Sequence, residues 1–163
     1  MQKLRDSTLL FLIKKIDTEI TDICLGMKKR GFGMNRWNGV GGKVNQGIES
    51  ITEATIREAK EEILVDVKNL DKVAELEFYF PHNPHFNQLV HVYCTEEWLG
   101  EPQESEEMRP EWFKVDKIPF DKMWADDIFW LPEVIKGNLI RANFTFGIDD
   151  NVIYQEVNIV DKL

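Results

Sequence analysis

The stretch GGKVNQGIESITEATIREAKEE, residues 41–62, constrains this chain most. Ser50 and Glu53 have the S-x-x-E spacing of a capping box, so a helix begins at residue 50. The helical pattern extends over 49–65. An α-helix turns about 100° per residue. On that wheel Glu58, Glu61 and Glu62 project within a sector of roughly 100°. Ile56, Ala59 and Ile63 cluster roughly 140° away and form the expected packing side, which leaves the carboxylates off the buried stripe. Like charges at i, i+4 destabilise a helix by about 0.2–0.5 kcal/mol. Arg57 offsets part of that through an i, i+4 pair with Glu61. Such a face is either solvated acid or a divalent-cation site, since hard cations such as Mg²⁺ take oxygen ligands and substrate phosphates. Gly41 and Gly42, just ahead of the helix, let backbone approach a ligand and offer a carbonyl as a further hard ligand. They favour the cation site.

The rest of the composition sets bounds. A chain of 163 residues, 43% apolar and 30% charged, fits one domain over 1–163. A net charge of −9 excludes a surface whose main task is coating nucleic acid. It allows a phosphorylated small molecule, because a bound cation reverses the local sign. Cys24 and Cys94 lie in apolar runs without metal-ligand spacing, and read as two reduced core thiols. The apolar run ending at Ile13 is too short for a signal peptide or a membrane span, so a cytoplasmic location is expected.

Hydrophobic patterning predicts strands over 7–15 and 20–29, then a glycine-rich loop or irregular strand over 29–42. Strands over 73–80 and 88–96 form a hairpin interrupted by PHNPHFN, whose prolines stop pairing. EPQESEEMRP is an acidic loop, and EWFKV a short strand. PFDKMWADDIFWLPEVIKG reads as helical around a proline. A last hairpin spans 138–160 and turns at Gly147–Asn151. The class is α+β, helices packed on a sheet.

Against this background Gly42, Glu49, Arg57, Glu58, Glu61 and Glu62 resemble the Nudix box, G-x5-E-x7-R-E-U-x-E-E-x-G-U, where U is a bulky apolar residue. REAKEEILV at 57–65 is in register, as is Glu49-x7-Arg57. Two departures occur. Six residues instead of five separate Gly42 from Glu49, so Ile48 reads as an insertion in a loop, where an extra residue costs little. Leu64 replaces the late glycine, a helix C-cap position, so the helix must end another way. Neither removes a candidate ligand. The resemblance implies a Nudix fold: an α/β/α sandwich with a central mixed β-sheet and the Nudix loop-helix.

The resemblance also implies roles. Nudix enzymes hydrolyse a nucleoside diphosphate linked to another moiety, using Mg²⁺ or Mn²⁺. Glu58 and Glu62 become core metal ligands, Glu61 a ligand or the water-activating base, and the Gly41 carbonyl a further ligand. Arg57 orients the glutamates by charge-assisted hydrogen bonds, or forms a plain helical ion pair. Glu107 is the candidate distal carboxylate, with a solvated loop acid as the alternative.

The likeness extends beyond the box. GMKKRGFG at 26–33, RWNGVGGKV at 36–44, ESEEMRPEWF at 104–113 and MWADDIFW at 123–130 resemble, in order, the MutT-homologue branch that hydrolyses oxidised purine nucleoside triphosphates such as 8-oxo-dGTP and 2-oxo-dATP. Carried over residue by residue, Asn38 offers its amide to the purine edge. Thr8 and Lys28 line the same pocket, with Gly41, Gly42 and Lys43 beside the phosphates. Phe32, Phe78, Phe80 and Trp124 form flat apolar walls on which a base stacks with roughly 1–3 kcal/mol. Asp126 and Asp127 face the base. Two adjacent carboxylates cannot both ionise freely, so one donates and the other accepts. Their alternative role is an N-terminal helix cap. Trp37, Trp98, Trp112 and Trp130 read as packing. Gln88 stands near a position where the branch often has methionine.

The expected reaction is Mg²⁺-dependent hydrolysis to a nucleoside monophosphate and pyrophosphate by a monomer acting on small nucleotides, with no nucleic acid or membrane partner. The alternatives are another Nudix substrate, such as a dinucleoside polyphosphate or a nucleotide sugar, and a non-catalytic nucleotide-binding module.

Overall fold

The computed structural model describes residues 3–163. In chain order the elements are β1 (Arg5–Ile16), β2 (Glu19–Lys28), β3 (Trp37–Asn38), α1 (Ile51–Ile63), β4 (Asp66–Lys68), β5 (Asp71–Tyr79), β6 (Gln88–Thr95), β7 (Glu97–Leu99), β8 (Met108–Lys114), α2 (Asp127–Ile135), β9 (Leu139–Phe146) and β10 (Val152–Val160).

Eight strands form one mixed sheet in the order β10-β9-β5-β6-β1-β2-β3, with β8 also pairing β2. The β1–β6 and β5–β9 pairs are parallel and the others antiparallel. A separate two-stranded sheet joins β4 and β7. The central strand β1 is apolar on both faces because each face is covered. Leu9, Phe11 and Ile13 join a core that includes Trp130, Leu131 and Val134 of α2. Leu10 and Leu12 join a second core with Ala59 and Ile63 of α1. The sheet thus lies between the two helices. Each fully buried Leu or Phe on β1 contributes roughly 1.5–3 kcal/mol over the exposed side chain. No helix among the described residues is long and apolar enough to cross a membrane.

Several boundaries differ from expectation. The acidic loop ends early, because Met108, Arg109 and Pro110 already pair with Lys28, Met27 and Gly26. Pro110 is tolerated on β8, whose pairing runs along β2 alone. The segment 119–137 is helical only in parts. Short 3-10 turns occupy Val115–Lys117 and Phe120–Lys122, and α2 itself covers Asp127–Ile135. Pro119 and the extended Met123 separate these pieces. The first two strands run closer together than expected: β1 and β2 extend to Ile16 and Glu19, leaving Asp17 at φ 57° in a tight turn.

Candidate active site

The site begins with α1. Ser50 Oγ accepts from Glu53 N at 3.0 Å, and Glu53 Oε1 accepts from Ser50 N at 3.3 Å, so the capping box is formed on both sides. The helix ends at Leu64, which takes the left-handed conformation itself at φ 64°. A side chain there strains the backbone that glycine would relax. Leu64 is also 40% exposed. Leu64→Gly is therefore expected to stabilise the fold by about 1 kcal/mol, raising Tm by about 2–4 °C in a thermal melt. A lower Tm would show that Leu64 contributes packing that outweighs the strain.

Inserted Ile48 is 84% exposed. It sits in a turn where Ile48 N and Glu49 N both donate to Asn45 O, so the extra residue bulges into solvent and leaves Glu49 in place. Glu49 takes Arg57 in bidentate fashion, with Nε donating to Oε2 at 2.9 Å and Nη2 to Oε1 at 2.7 Å. Arg57 Nη1 donates to Glu58 Oε1 at 3.0 Å and to Glu61 Oε2 at 3.1 Å, and Nη2 donates to the Lys43 carbonyl at 3.1 Å. One guanidinium thus ties three glutamates to the loop ahead of the helix. Its hydrogen bonds pull the Glu49 carboxyl down to about 2, and Glu49 in turn makes Arg57 hold its proton more tightly.

Glu62 corrects the helical-wheel expectation. The buried side of α1 carries Ala54, Thr55, Ala59, Glu62 and Ile63, while Ile56 is 39% exposed. Small residues at 54, 55 and 59 let the helix approach β1 with this side inward, which carries Glu62 to 1% exposure. Glu62 Oε1 accepts from Gly41 N at 3.2 Å, whereas Oε2 is buried without a partner. Burial first, and Glu58 second, push the Glu62 carboxyl up to about 9; Lys28 and the Gly41 N–H oppose the shift. Glu58 is nearly covered, its side chain 13% exposed, and Glu61 faces solvent at 58%.

The glycines are present for close approach. Residues 40–43 pair along β1, with Leu10 N donating to Val40 O at 2.7 Å and Thr8 N to Gly42 O at 2.8 Å. A Cβ on Gly41 would stand 1.9 Å from the Thr8 carbonyl oxygen, and one on Gly42 would stand 2.5 Å from Glu58 Oε1. A side chain at Gly41 would force the loop off β1, and one at Gly42 would displace the Glu58 carboxylate.

A cleft with a volume of about 140 Å³ opens beside this loop. It is lined by Thr8, Lys28, Asn38, Gly41 and Gly42 at its polar parts, and by Phe32, Phe78, Phe80 and Trp124 at its apolar walls. Asp126 and Asp127 also line it. Asn38 Oδ1 accepts from Gly39 N at 2.9 Å, leaving the amide N–H₂ as the group available to a ligand. Lys43 is exposed and outside the cleft lining. Glu107 lies on the loop before β8, where Oε1 accepts from Arg30 Nη2 at 3.2 Å. Among the described residues no three carboxylate, histidine or cysteine side chains converge on one point. Glu58 and Glu61 are instead held by Arg57, and Glu107 by Arg30.

The aspartate pair does not cap α2. Asp126 is the N-cap residue, yet no side chain closes the helix end. Asp126 Oδ2 accepts instead from Trp130 Nε1 at 2.8 Å, one helical turn on. Both carboxyls are buried, at 2% and 3% exposure, and Asp127 Oδ2 has no partner. Burial pushes Asp126 up to about 6, against the pull of the Trp130 N–H. Burial and the neighbouring Asp126 raise Asp127 further. Asp126 accepts from Trp130, and both carboxyls hold a proton more tightly than a free aspartate.

Three further residues join the cleft. Trp130, read as packing from sequence, lines it and fixes Asp126; its i, i+4 spacing from Asp126 was the available signal. Phe146 enters from β9 and stacks on Phe80 with centroids 4.8 Å apart. Nothing local marks it, since the parallel β5–β9 pairing alone brings it there. Gln88 lines the cleft with its Nε2 donating to the Phe86 carbonyl at 3.1 Å.

A mixed sheet between two helices, with a glutamate-bearing helix behind a glycine loop, defines a Nudix fold. Residues 6–134 match the NUDIX domain family, and the chain belongs to that family as a Nudix hydrolase. It is 43% identical over 141 residues to a Danio rerio protein named oxidized purine nucleoside triphosphate hydrolase, covering 86% of this chain and 89% of that one. A Mus musculus protein of the same name is 42% identical over 140 residues, covering 86% and 88%. The crystal structure of a MutT protein from Bacillus halodurans superposes with a TM-score of 0.79 at 24% identity, over 95% of this chain and 98% of that one.

Proposed function

We propose that this chain hydrolyses oxidised purine nucleoside triphosphates to the nucleoside monophosphate and pyrophosphate, and so clears damaged precursors from the nucleotide pool. One observation carries the reading: a single cleft holds both a glycine loop packed on paired glutamates and a buried aspartate pair among aromatic walls. The first suits phosphates and the second a purine edge. The Danio rerio and Mus musculus relatives bearing the same name support it.

The residues fit a divalent cation. Glu62 Oε2 is a buried oxygen without a donor, Glu58 lies against it, and the Gly41 backbone abuts both β1 and Glu62. Glu58, Glu62, Glu61 and the Gly41 carbonyl would hold Mg²⁺, or Mn²⁺, with Glu107 joining once it leaves Arg30. The bound ion neutralises phosphate charge and lowers the pKa of water. Arg57 fixes the glutamates through its five donors, so their positions are set before substrate arrives. Glu61, the most exposed of the three, is suited to take a proton from water. At the other part of the cleft, Asp127 donates to the base, Asp126 accepts from it, and Asn38 completes the edge. Phe32, Phe78, Phe80 and Trp124 exclude water around the ring.

Every group in this account comes from one chain, so a monomer suffices. Buried free thiols at Cys24 and Cys94 support a reducing, cytoplasmic setting.

A substrate panel tests the reading. With Mg²⁺, kcat/KM should be highest for 8-oxo-dGTP or 2-oxo-dATP, and roughly tenfold or more lower for dGTP, ADP-ribose and a dinucleoside tetraphosphate. Turnover confined to ADP-ribose would sink the pool-clearing function. Tight nucleotide binding without any turnover would point to a binding module instead.

A further inference from the structure

We propose that Arg36 and Asp150 form a clamp that positions Trp124 and thereby sets the affinity of the cleft for the purine base; this rests on the purine-nucleotide reading above. The Arg36 guanidinium carbon lies 4.2 Å from the centroid of the Trp124 ring. The same guanidinium reaches Asp150 Oδ2 through Nη2 at 3.3 Å. Arg36 is therefore held between an indole that lines the cleft and a turn 114 residues away in sequence.

Both ends of the clamp are anchored in backbone. Arg36 N donates to Gly33 O at 3.2 Å, and the Arg36 carbonyl accepts from Lys28 N at 3.1 Å, at the end of β2. Asp150 sits in the β9–β10 turn at φ 60°, with its N–H donating to Gly147 O at 3.0 Å. Phe146, which lines the cleft, is the residue just before that turn. The C-terminal hairpin lies outside the matched NUDIX segment, so this arrangement adds to the box chemistry without belonging to it.

The other neighbours of Trp124 are the Gly33 backbone and apolar rings. Phe32 lies 5.0 Å away and tilted, and Phe146 meets it edge-on at 5.6 Å. A cation over one face gives the ring an orientation, and a planar guanidinium can lie on the ring while its fork binds a carboxylate. A half-exposed ion pair alone adds little to stability. The side chains are 31% and 33% exposed, so the effect of the clamp falls on base binding and not on the fold.

Calorimetry on the Mg²⁺-loaded protein tests this with two probes, 8-oxo-dGMP for the base part and pyrophosphate for the phosphate part. Arg36→Ala should weaken 8-oxo-dGMP binding about tenfold and Asp150→Asn about threefold, while Arg36→Lys retains part of the loss. Pyrophosphate affinity should stay at the wild-type value in all three. In turnover, KM should rise with kcat nearly unchanged. Equal 8-oxo-dGMP affinity in Arg36→Ala and wild type overturns the clamp, as does a parallel loss of pyrophosphate affinity. If Arg36→Ala does not fold, Asp150→Asn carries the same comparison. Wild-type protein that binds pyrophosphate but not 8-oxo-dGMP overturns the purine reading itself, and the clamp with it.

Discussion

Replacing Glu62 with Gln is expected to abolish turnover and, at the same time, to stabilise the metal-free protein. The activity loss should be at least about 10³-fold in kcat, because a neutral amide cannot supply the charge that the cation and phosphates require. The stability gain follows from burial. Glu62 is 1% exposed and its carboxyl is pushed up to about 9, first by burial and then by Glu58. Between about 4.5 and about 9 the folded protein keeps a proton that the unfolded chain has lost, so this group lowers stability as pH rises through that window. Gln removes the penalty, keeps an acceptor for the Gly41 N–H and offers Glu58 a donor. At pH 8 with chelator the variant should be more stable by roughly 2 kcal/mol or more, and the gain should vanish near pH 4. Denaturant melts at the two pH values check this. A variant with normal turnover, or one less stable at pH 8, would remove Glu62 from its assigned place. The general lesson is that a buried acid pair weakens the fold and is retained for what it binds.

Asp126→Asn is the second large effect, and it falls on the base. Asn keeps an oxygen for the Trp130 N–H but removes the charge that helps keep Asp127 protonated. The pair then loses its anionic acceptor, and Asp127 holds its proton less tightly. A site built to hydrogen-bond a ligand edge discriminates strongly when one partner is removed. We expect kcat/KM for 8-oxo-dGTP to fall about 100-fold or more, with a changed ranking between 8-oxo-dGTP and 2-oxo-dATP, while pyrophosphate binding is retained. Wild-type base discrimination should likewise weaken as pH falls below about 6, where Asp126 takes up a proton. Equal losses for every base, together with weaker pyrophosphate binding, would mean that the aspartates act on the whole cleft instead.

The legibility of the site in the sequence varied with how local its causes are. The capping box, Glu49-x7-Arg57 and the glycines needed only residues within one loop and helix, and all stand where their spacing puts them. Glu62 needed more. The wheel used Ile56, Ala59 and Ile63 to define the buried side, whereas the close approach of α1 to β1 is governed by small Ala54, Thr55 and Ala59. Bulk, not hydrophobicity alone, decided which way the helix faced. Phe146 and Asp150 were illegible because only the parallel β5–β9 pairing brings Phe146 to the cleft and only the following turn brings Asp150 to Arg36. Residues 119–126 failed for a different reason: their apolar and charged pattern mimics a helix, yet the chain takes one 3-10 turn at Phe120–Lys122 and an extended Met123 before α2 starts at Asp127. The sheet was the most legible part, because Leu9–Ile13 must be buried on both faces and only a central strand permits that.

The most direct measurement is the product pair released from 8-oxo-dGTP. Purified protein with Mg²⁺, sampled by anion-exchange chromatography, should yield 8-oxo-dGMP and pyrophosphate in equal amounts, with no phosphate released before the monophosphate. Release of 8-oxo-dGDP and phosphate, or no consumption of 8-oxo-dGTP by protein that binds it, would contradict the account.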